Sequence, residues 1–328
     1  MDLLILGGTQ WLGRELAREA IARGDRVTCL ARGEAGAVAP RAELVAADRD
    51  RPDAYDAVGD LDWDVVIDLT RQPGHARRAA AALAGRARHV VFVSSCSVYA
   101  RHDEPGADES AALLPALADD ASTPETYGEA KVACEAAWRG AVSDRLLVVR
   151  PGLIAGPGDP SDRAGYWVAR AARDREPMLV PEIPDAAVQA IDVRDLVRFL
   201  LDGAARGLTG TFNAVGDRTT FAEWLAVSRE LGAHDGEVVV ASADRLAELG
   251  VNEWAGPDSL PLWIADPTWN AFLDRSNAAA EREGLVLRPV RESLADVLAW
   301  ERSAGLGRER RAGLGAERER ELIAELRG

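Results

Sequence analysis

The sequence predicts an α/β fold: a doubly wound parallel sheet with a smaller C-terminal substrate-binding region. Three observations predict it. Short apolar runs alternate with helical segments from the N-terminus to about residue 149, a glycine turn follows the first run, and the alternation turns irregular after residue 155. Leu3–Leu6 is apolar, the turn Gly7-Gly8-Thr9-Gln10-Trp11-Leu12-Gly13 comes next, and a helical stretch, 14–23, precedes a second strand at Val27–Leu30. Strand, glycine turn, helix and strand in that order open a doubly wound sheet. Ala42–Ala46 and Asp64–Asp68 read as the third and fourth strands, and 74–84 as a helix. His89–Val93 is the fifth, as apolar as a strand covered on both faces should be. A helix over 124–140 leads to the sixth strand, Arg145–Val149.

Beyond it, helices are expected over 162–174, 193–205, 220–231, 242–249, 276–283 and 291–303, with short strands near 178–180, 188–191, 211–215 and 237–240. The expected division is a dinucleotide-binding domain over 1–155, a mixed region over 156–305 that completes the sheet and forms the substrate domain, and a charged tail of helical character over 306–328. Residues 100–123 are too long for a simple turn, and long loops over an active edge are often functional lids, though no catalytic residue is expected there.

A formal net charge of −15 and a pI near 4.8 oppose nonspecific attraction to nucleic acid or anionic membranes, which needs clustered positive charge. No uncharged apolar run approaches the roughly 20 residues that span a bilayer, and the N-terminus enters a strand directly, so a cytoplasmic protein is expected. Cys29, Cys96 and Cys134 are widely spaced and form no CxxC pair, so neither a disulfide framework nor a metal site is indicated.

The chemistry-bearing residues gather at the expected carboxyl ends of strands. The Gly7–Gly13 turn would bring unpaired helix N–H groups against a phosphate; a bare glycine turn is the alternative. No acidic residue ends the second strand, and Arg32 follows it, which leans the cofactor toward NADP over NAD unless Arg32 is a solvated turn residue. Asp48, beside Arg49 after the third strand, could meet an adenine edge or cap a helix. Leu69 and Thr70 end the fourth strand, and Ser94-Ser95-Cys96-Ser97 the fifth, where ligands of such sheets bind. Tyr127 and Lys131 stand four residues apart, one turn of a helix, so phenol and ammonium share a face. An ammonium beside a phenol favours the phenolate, giving a group able to take or give a proton near neutral pH.

Gly7-Gly8-x-x-x-x-Gly13, Ser95 four residues before Tyr99, Tyr127-x-x-x-Lys131 and Arg150-Pro151-Gly152, in that order, resemble the extended short-chain dehydrogenase/reductase family, which contains NAD-dependent epimerases and dehydratases. The resemblance covers about residues 1–300 and implies a Rossmann-type domain with a small C-terminal substrate domain. It implies Tyr127 as general acid/base, Lys131 on the nicotinamide ribose, and Ser95 on the substrate oxygen. Thr9, Trp11, Leu12, Pro151, Gly152 and Ile154 would join the cofactor contacts, while Ser97, Arg163, Tyr166, Trp167 and Gln189 would line the substrate pocket.

Three departures narrow the reading. Gln10 replaces the usual middle glycine, as in an atypical subgroup that includes chloroplast RNA-binding proteins; the acidic charge argues against that role. Cys96 and Ser97 stand where the dehydratases carry an Asp-Glu pair, so water elimination lacks its proton donor. Ala155 replaces the tyrosine usual before the Gly-Pro-Gly turn of sugar-nucleotide epimerases. The expected activity is NAD(P)-dependent hydride transfer at a hydroxyl or carbonyl carbon. An epimerase that retains NAD and a non-catalytic NADP-binding scaffold or sensor are the alternatives, and a homodimer through helices 74–84 and 124–140 is usual in the family.

Overall fold

A computed structural model describes all residues, 1–328. Seven parallel strands form the central sheet: β1 (Asp2–Leu6), β2 (Arg26–Ala31), β3 (Glu43–Ala46), β4 (Trp63–Asp68), β5 (Ala87–Val93), β6 (Leu146–Pro151) and β7 (Gly210–Ala214), ordered β7-β6-β5-β4-β1-β2-β3. The chain winds outward from β1 to β3, then restarts beside β1 at β4 and winds the other way. Between β1 and β4 it leaves the crevice in which open sheets of this kind bind ligands.

Period-two alternation sorts the strand side chains onto two faces. Leu3, Ile5, Val65, Ile67, Val91, Val93, Leu147 and Val149 pack with α1 (Trp11–Ala22) and α5 (Val193–Ala205). Leu4, Leu6, Val66, Val90, Phe92 and Val148 pack on the other face, the side of α2 (Pro73–Leu83) and α3 (Tyr127–Val142), which contribute Ala76, Leu83, Cys134 and Trp138. At about 1.5–3 kcal/mol per fully buried large aliphatic side chain, these two layers dominate the stability of the sheet.

The second region has its own core around Tyr166, Trp167, Trp224 and Trp263, gathered by α4 (Tyr166–Arg173), α6 (Phe221–Gly232), α7 (Val290–Ala304) and α8 (Ala316–Arg327). The charged 306–328 stretch is part of this core: Leu322 and Ile323 are buried, and the wholly buried Glu319 accepts from Arg170, from Arg173 at 2.7 Å and from the backbone N–H of Leu179 at 3.0 Å. The long 100–123 connection is strapped down along its length. Leu114 N–H donates to Val98 O at 2.8 Å, Gly74 N–H to Asp120 O at 2.9 Å, and Ser122 N–H to Gln72 Oε1 at 2.6 Å.

Candidate active site at the carboxyl edge of the sheet

The glycine turn is shaped for close backbone approach. Gly7 has φ +111°, a region that strongly favours glycine. A Cβ on Gly8 would lie 2.3 Å from Cys29 Sγ, and one on Gly13 would lie 2.4 Å from Gly7 O, so helix and turn can be this close only without side chains. Gln10 is the exposed N-cap of α1 and its side chain makes no capping bond, which leaves the first N–H groups of the helix to meet an anion. This cradle fits a dinucleotide pyrophosphate. Thr9 is buried in the turn, Leu12 packs on the core below, and Leu69, directly after β4, faces Gly7. Trp11 donates its indole N–H to Pro157 O at 3.0 Å and so ties the turn to the loop after β6.

Arg32 is exposed beyond β2 and pairs with Glu34 at 3.3 Å. Asp48 closes a tight turn by accepting from Asp50 N–H at 3.1 Å. Arg49 makes a buried two-pronged pair with Asp68, at 2.9 and 3.2 Å, and donates to Tyr55 Oη at 2.8 Å. Trp138 and the Thr70 N–H also donate to the Asp68 carboxylate. Burial alone would raise the Asp68 carboxyl, but the Arg49 charge and these hydrogen bonds outweigh it and hold it below its ordinary value. Arg49 thereby fixes the end of β4 from beneath.

Lys131 is buried, and its ammonium donates to Thr70 O at 2.8 Å and Val93 O at 2.7 Å. Two of its three donors are thus spent holding the ends of β4 and β5, and one remains to aim. Tyr127 is the first residue of α3, half-buried, one turn before Lys131. Ser95 caps a short turn by accepting from Ser97 N–H at 3.1 Å and donates to Ser97 Oγ at 3.2 Å. Gly128 brings the tyrosine and the serine loop together, a link that sequence reasoning missed: a Cβ there would lie 2.3 Å from Ser97 O. Glycine directly after the tyrosine is the signal that could have shown it.

Beneath this edge, Arg150 makes a two-pronged pair with Glu135 of α3, at 2.9 and 2.8 Å, and donates to Tyr99 Oη at 3.1 Å. Ser94 donates to Glu135 at 2.6 Å, and Tyr99 donates to Asn213 Oδ1 at 2.6 Å. The network ties β5, β6, β7 and the tyrosine helix together. Burial would raise the Glu135 carboxyl, but its bonds to Arg150 and Ser94 and the Arg150 charge outweigh it and hold it below its usual 4.5. A depressed carboxyl stabilises the fold fully above its unfolded value, and that contribution is lost as pH falls through the folded value. Urea midpoints measured from about pH 7 to about pH 3 should therefore fall more steeply in the protein than in Glu135→Gln, which lacks this titration. Parallel profiles would show that the pair adds no pH-dependent stability. Cys96 lies in the same network, buried, its thiol pushed up to about 12 by burial and donating to Arg150 O at 3.2 Å, so it stays protonated.

On the substrate side the expected residues separate. Tyr166 and Trp167 are fully buried in the second core, with Trp167 donating to Pro261 O at 2.9 Å, so they pack and do not line the pocket. Gln189 spends both ends of its amide on the Arg275 backbone, at 3.0 and 2.8 Å. Arg275, which sequence reasoning missed, stacks 4.3 Å from the Tyr99 ring centroid and meets His102 Nδ1 at 2.9 Å. Burial first, then the Arg275 charge, lowers the His102 pKa to about 4, so the ring is a neutral acceptor. Arg163 is half-buried over Trp254, 4.8 Å from the ring centroid. Trp254 itself has φ +61°, a left-handed conformation that costs a bulky residue about 1–3 kcal/mol and persists where its surroundings impose it. Pro151 is buried at the end of β6, the Gly152 N–H donates to Ala214 O at 3.3 Å, and Ile154 pairs with Ile191 in a short flanking strand.

No helix is long and apolar enough to cross a membrane. Residues 3–213 match the model of the NAD dependent epimerase/dehydratase family. No curated protein matches the chain. Among solved structures, an epimerase candidate from Burkholderia cenocepacia J2315 is similar over 92% of this chain and 98% of its own, with 21% identity and a TM-score of 0.71. UDP-N-acetylglucosamine 4-epimerase from Bacillus cereus is similar over 92% and 99%, with 14% identity and a TM-score of 0.65. The Bordetella bronchiseptica enzyme WbmG, solved with NAD and UDP, is similar over 93% and 96%, with 15% identity and a TM-score of 0.66. At these identities the likeness to solved structures establishes the fold, and the family match goes further: the chain belongs to the NAD-dependent epimerase/dehydratase family, whose members are NAD-dependent enzymes.

Proposed function

We propose that the protein exchanges hydrogen between a nicotinamide cofactor and a hydroxyl or carbonyl carbon, with Tyr127 moving the proton on the substrate oxygen. The observation that carries this is Lys131, clamped by Thr70 O and Val93 O at the ends of β4 and β5, one turn below Tyr127. A buried ammonium held at the ligand-binding edge with one donor free is suited to fix a cofactor ribose beside the phenol. When bound, the nicotinamide supplies the hydride donor or acceptor. Ser95, held by the Ser97 backbone N–H, turns its one hydroxyl proton from Ser97 Oγ to the same substrate oxygen and orients it, while the glycine turn and the N-terminus of α1 receive the pyrophosphate. Cys96 and Ser97 offer no carboxylic acid, so the site serves proton transfer coupled to hydride exchange and not elimination of water.

Turnover followed by nicotinamide absorbance across carbonyl compounds and sugar nucleotides tests this. Tight cofactor binding with no turnover on any of them would favour the scaffold or sensor. The similarity to a 4-epimerase supports a second reading, an epimerase that keeps its cofactor; oxidised nucleotide copurifying with the protein would favour it.

For the cofactor we propose NADP over NAD, on Arg32. It is exposed where β2 ends, with no acidic residue at the strand end, and is free to exchange its exposed Glu34 partner for a 2′-phosphate. NADPH should bind more tightly than NADH by about tenfold, the scale of one charge-assisted contact, and Arg32→Asp should close or reverse that gap. Equal affinities in the unaltered protein, measured by fluorescence titration, would overturn the assignment.

A further inference from the structure

Tyr127, Lys131 and Glu135 follow one another at four-residue steps along α3, so they share one face of the helix. The last two reach the end of β5. Lys131 donates to the Val93 carbonyl at 2.7 Å, and Glu135, one turn on, accepts from the hydroxyl of the next residue, Ser94, at 2.6 Å. Ser95 comes directly after. On its far side, Cys96 donates to Arg150 O at 3.2 Å, and the guanidinium of that same Arg150 grips Glu135 at 2.9 and 2.8 Å. Both neighbours of Ser95 therefore end on one ion pair. The Ser95 side chain is held only by Ser97, whose N–H donates to it at 3.1 Å and whose hydroxyl accepts from it at 3.2 Å.

A buried ion pair is an expensive tie between a helix and a sheet. Glu135 and Arg150 are 2% and 3% exposed, and the loss of hydration on both offsets much of their attraction, so apolar side chains of the same size would stabilise the contact as well. Direction is what the pair adds. Guanidinium and carboxylate meet in one plane through two bonds of set geometry, which fixes where the Glu135 oxygen waits for the Ser94 hydroxyl; apolar packing imposes no such line. We propose that Ser94 and Glu135 are positioning residues: they lock the end of β5 to α3, so that the Ser95 hydroxyl and the Lys131 ammonium stand in fixed register for one bound substrate and cofactor. This rests on the function proposed above and names the residues that hold its machinery in place.

Lys131 is the only lysine in the chain. Protein grown on isotopically labelled lysine therefore shows a single side-chain ammonium by NMR, and the exchange of its protons with water reads the clamp with neither substrate nor cofactor bound. Ser94→Ala should speed that exchange by about ten- to a hundredfold, the scale of a hydrogen bond to a charged group. Ile323→Val, which loosens the distant second core instead, should leave it within about twofold. Glu135→Gln keeps an acceptor for Ser94 but gives up the charge and should fall between. Equal exchange in Ser94→Ala and Ile323→Val would overturn the proposal. Turnover is the second readout: on a compound found in the substrate panel, Ser94→Ala should lower kcat/KM by about ten- to a hundredfold, and in a Ser95→Ala background the same change should lower it no further. Equal losses in both backgrounds would show a structural role alone and overturn the positioning role. A loosened ammonium in a protein that turns over nothing refutes the reaction and keeps the tether; turnover with the ammonium unmoved by Ser94→Ala refutes the tether and keeps the reaction.

Discussion

Tyr127→Phe should lower turnover by about a hundredfold to ten-thousandfold, the range that a positioned acid or base contributes, while NADPH affinity stays within about twofold. The substitution removes one oxygen and leaves the ring that packs at the start of α3. Stability should change little, because the ring is half-buried and its hydroxyl makes no hydrogen bond to another protein group. The effect should fall on kcat more than on KM, since a proton carrier acts in the transition state whereas binding contacts also hold the ground state. Steady-state kinetics on whichever compound the substrate panel identifies, alongside a cofactor titration, checks it. Turnover unchanged in the variant would remove Tyr127 from the mechanism.

The second large effect is structural. Glu319→Ala should destabilise the protein by about 3–5 kcal/mol, the cost of breaking a buried ion pair from one side. The carboxylate has no exposed surface and receives Arg170, Arg173 and the Leu179 N–H, so its removal leaves the almost wholly buried Arg170 short of its partner. Against a typical total of 5–15 kcal/mol, such a loss threatens folding at growth temperature. Denaturant midpoints check it, and Glu319→Gln, which keeps shape and some hydrogen bonding, should fall between. A loss below about 1 kcal/mol, the value of an exposed pair, would show that the cluster contributes little. Removal of residues 306–328 should be worse, since Glu301 would lose Arg308 and Arg310 together.

Whatever is local in the chain was legible. The apolar strands, the Gly7–Gly13 turn and the Tyr127/Lys131 spacing depend on neighbours a few residues away, and the fold places them where periodicity and turn chemistry put them. Elements whose form depends on distant partners were not legible. The helix expected over 162–174 starts only at Tyr166, because Asp162 is held left-handed by residues 308 and 311. Tyr166 and Trp167 follow a loop rich in polar residues and resemble pocket residues by position, yet they are core because α7 and α8 cover them. Glu135 looks like one more charge on a helix until Arg150, 15 residues on, is brought against it by β6. The terminal charges look solvated for the same reason: Glu319 finds Arg170 across 149 residues, a separation at which no sequence period operates.

The bond from Trp11 to Pro157 spans 146 positions, and the hydrogen bond from Arg308 to Asp162 spans another 146. The loop from Pro157 to Asp162 is therefore held on one side by the first residue of α1 and on the other by the segment that follows α7. Contacts so far apart in sequence carry the largest loop-closure cost and form after local ones. The glycine cradle can take shape early, from residues close together in the chain, but the 157–162 loop is fixed only once residues 146 positions away on either side have met it. A partly folded chain can therefore hold the glycine turn in its final shape while the loop after β6 is still loose.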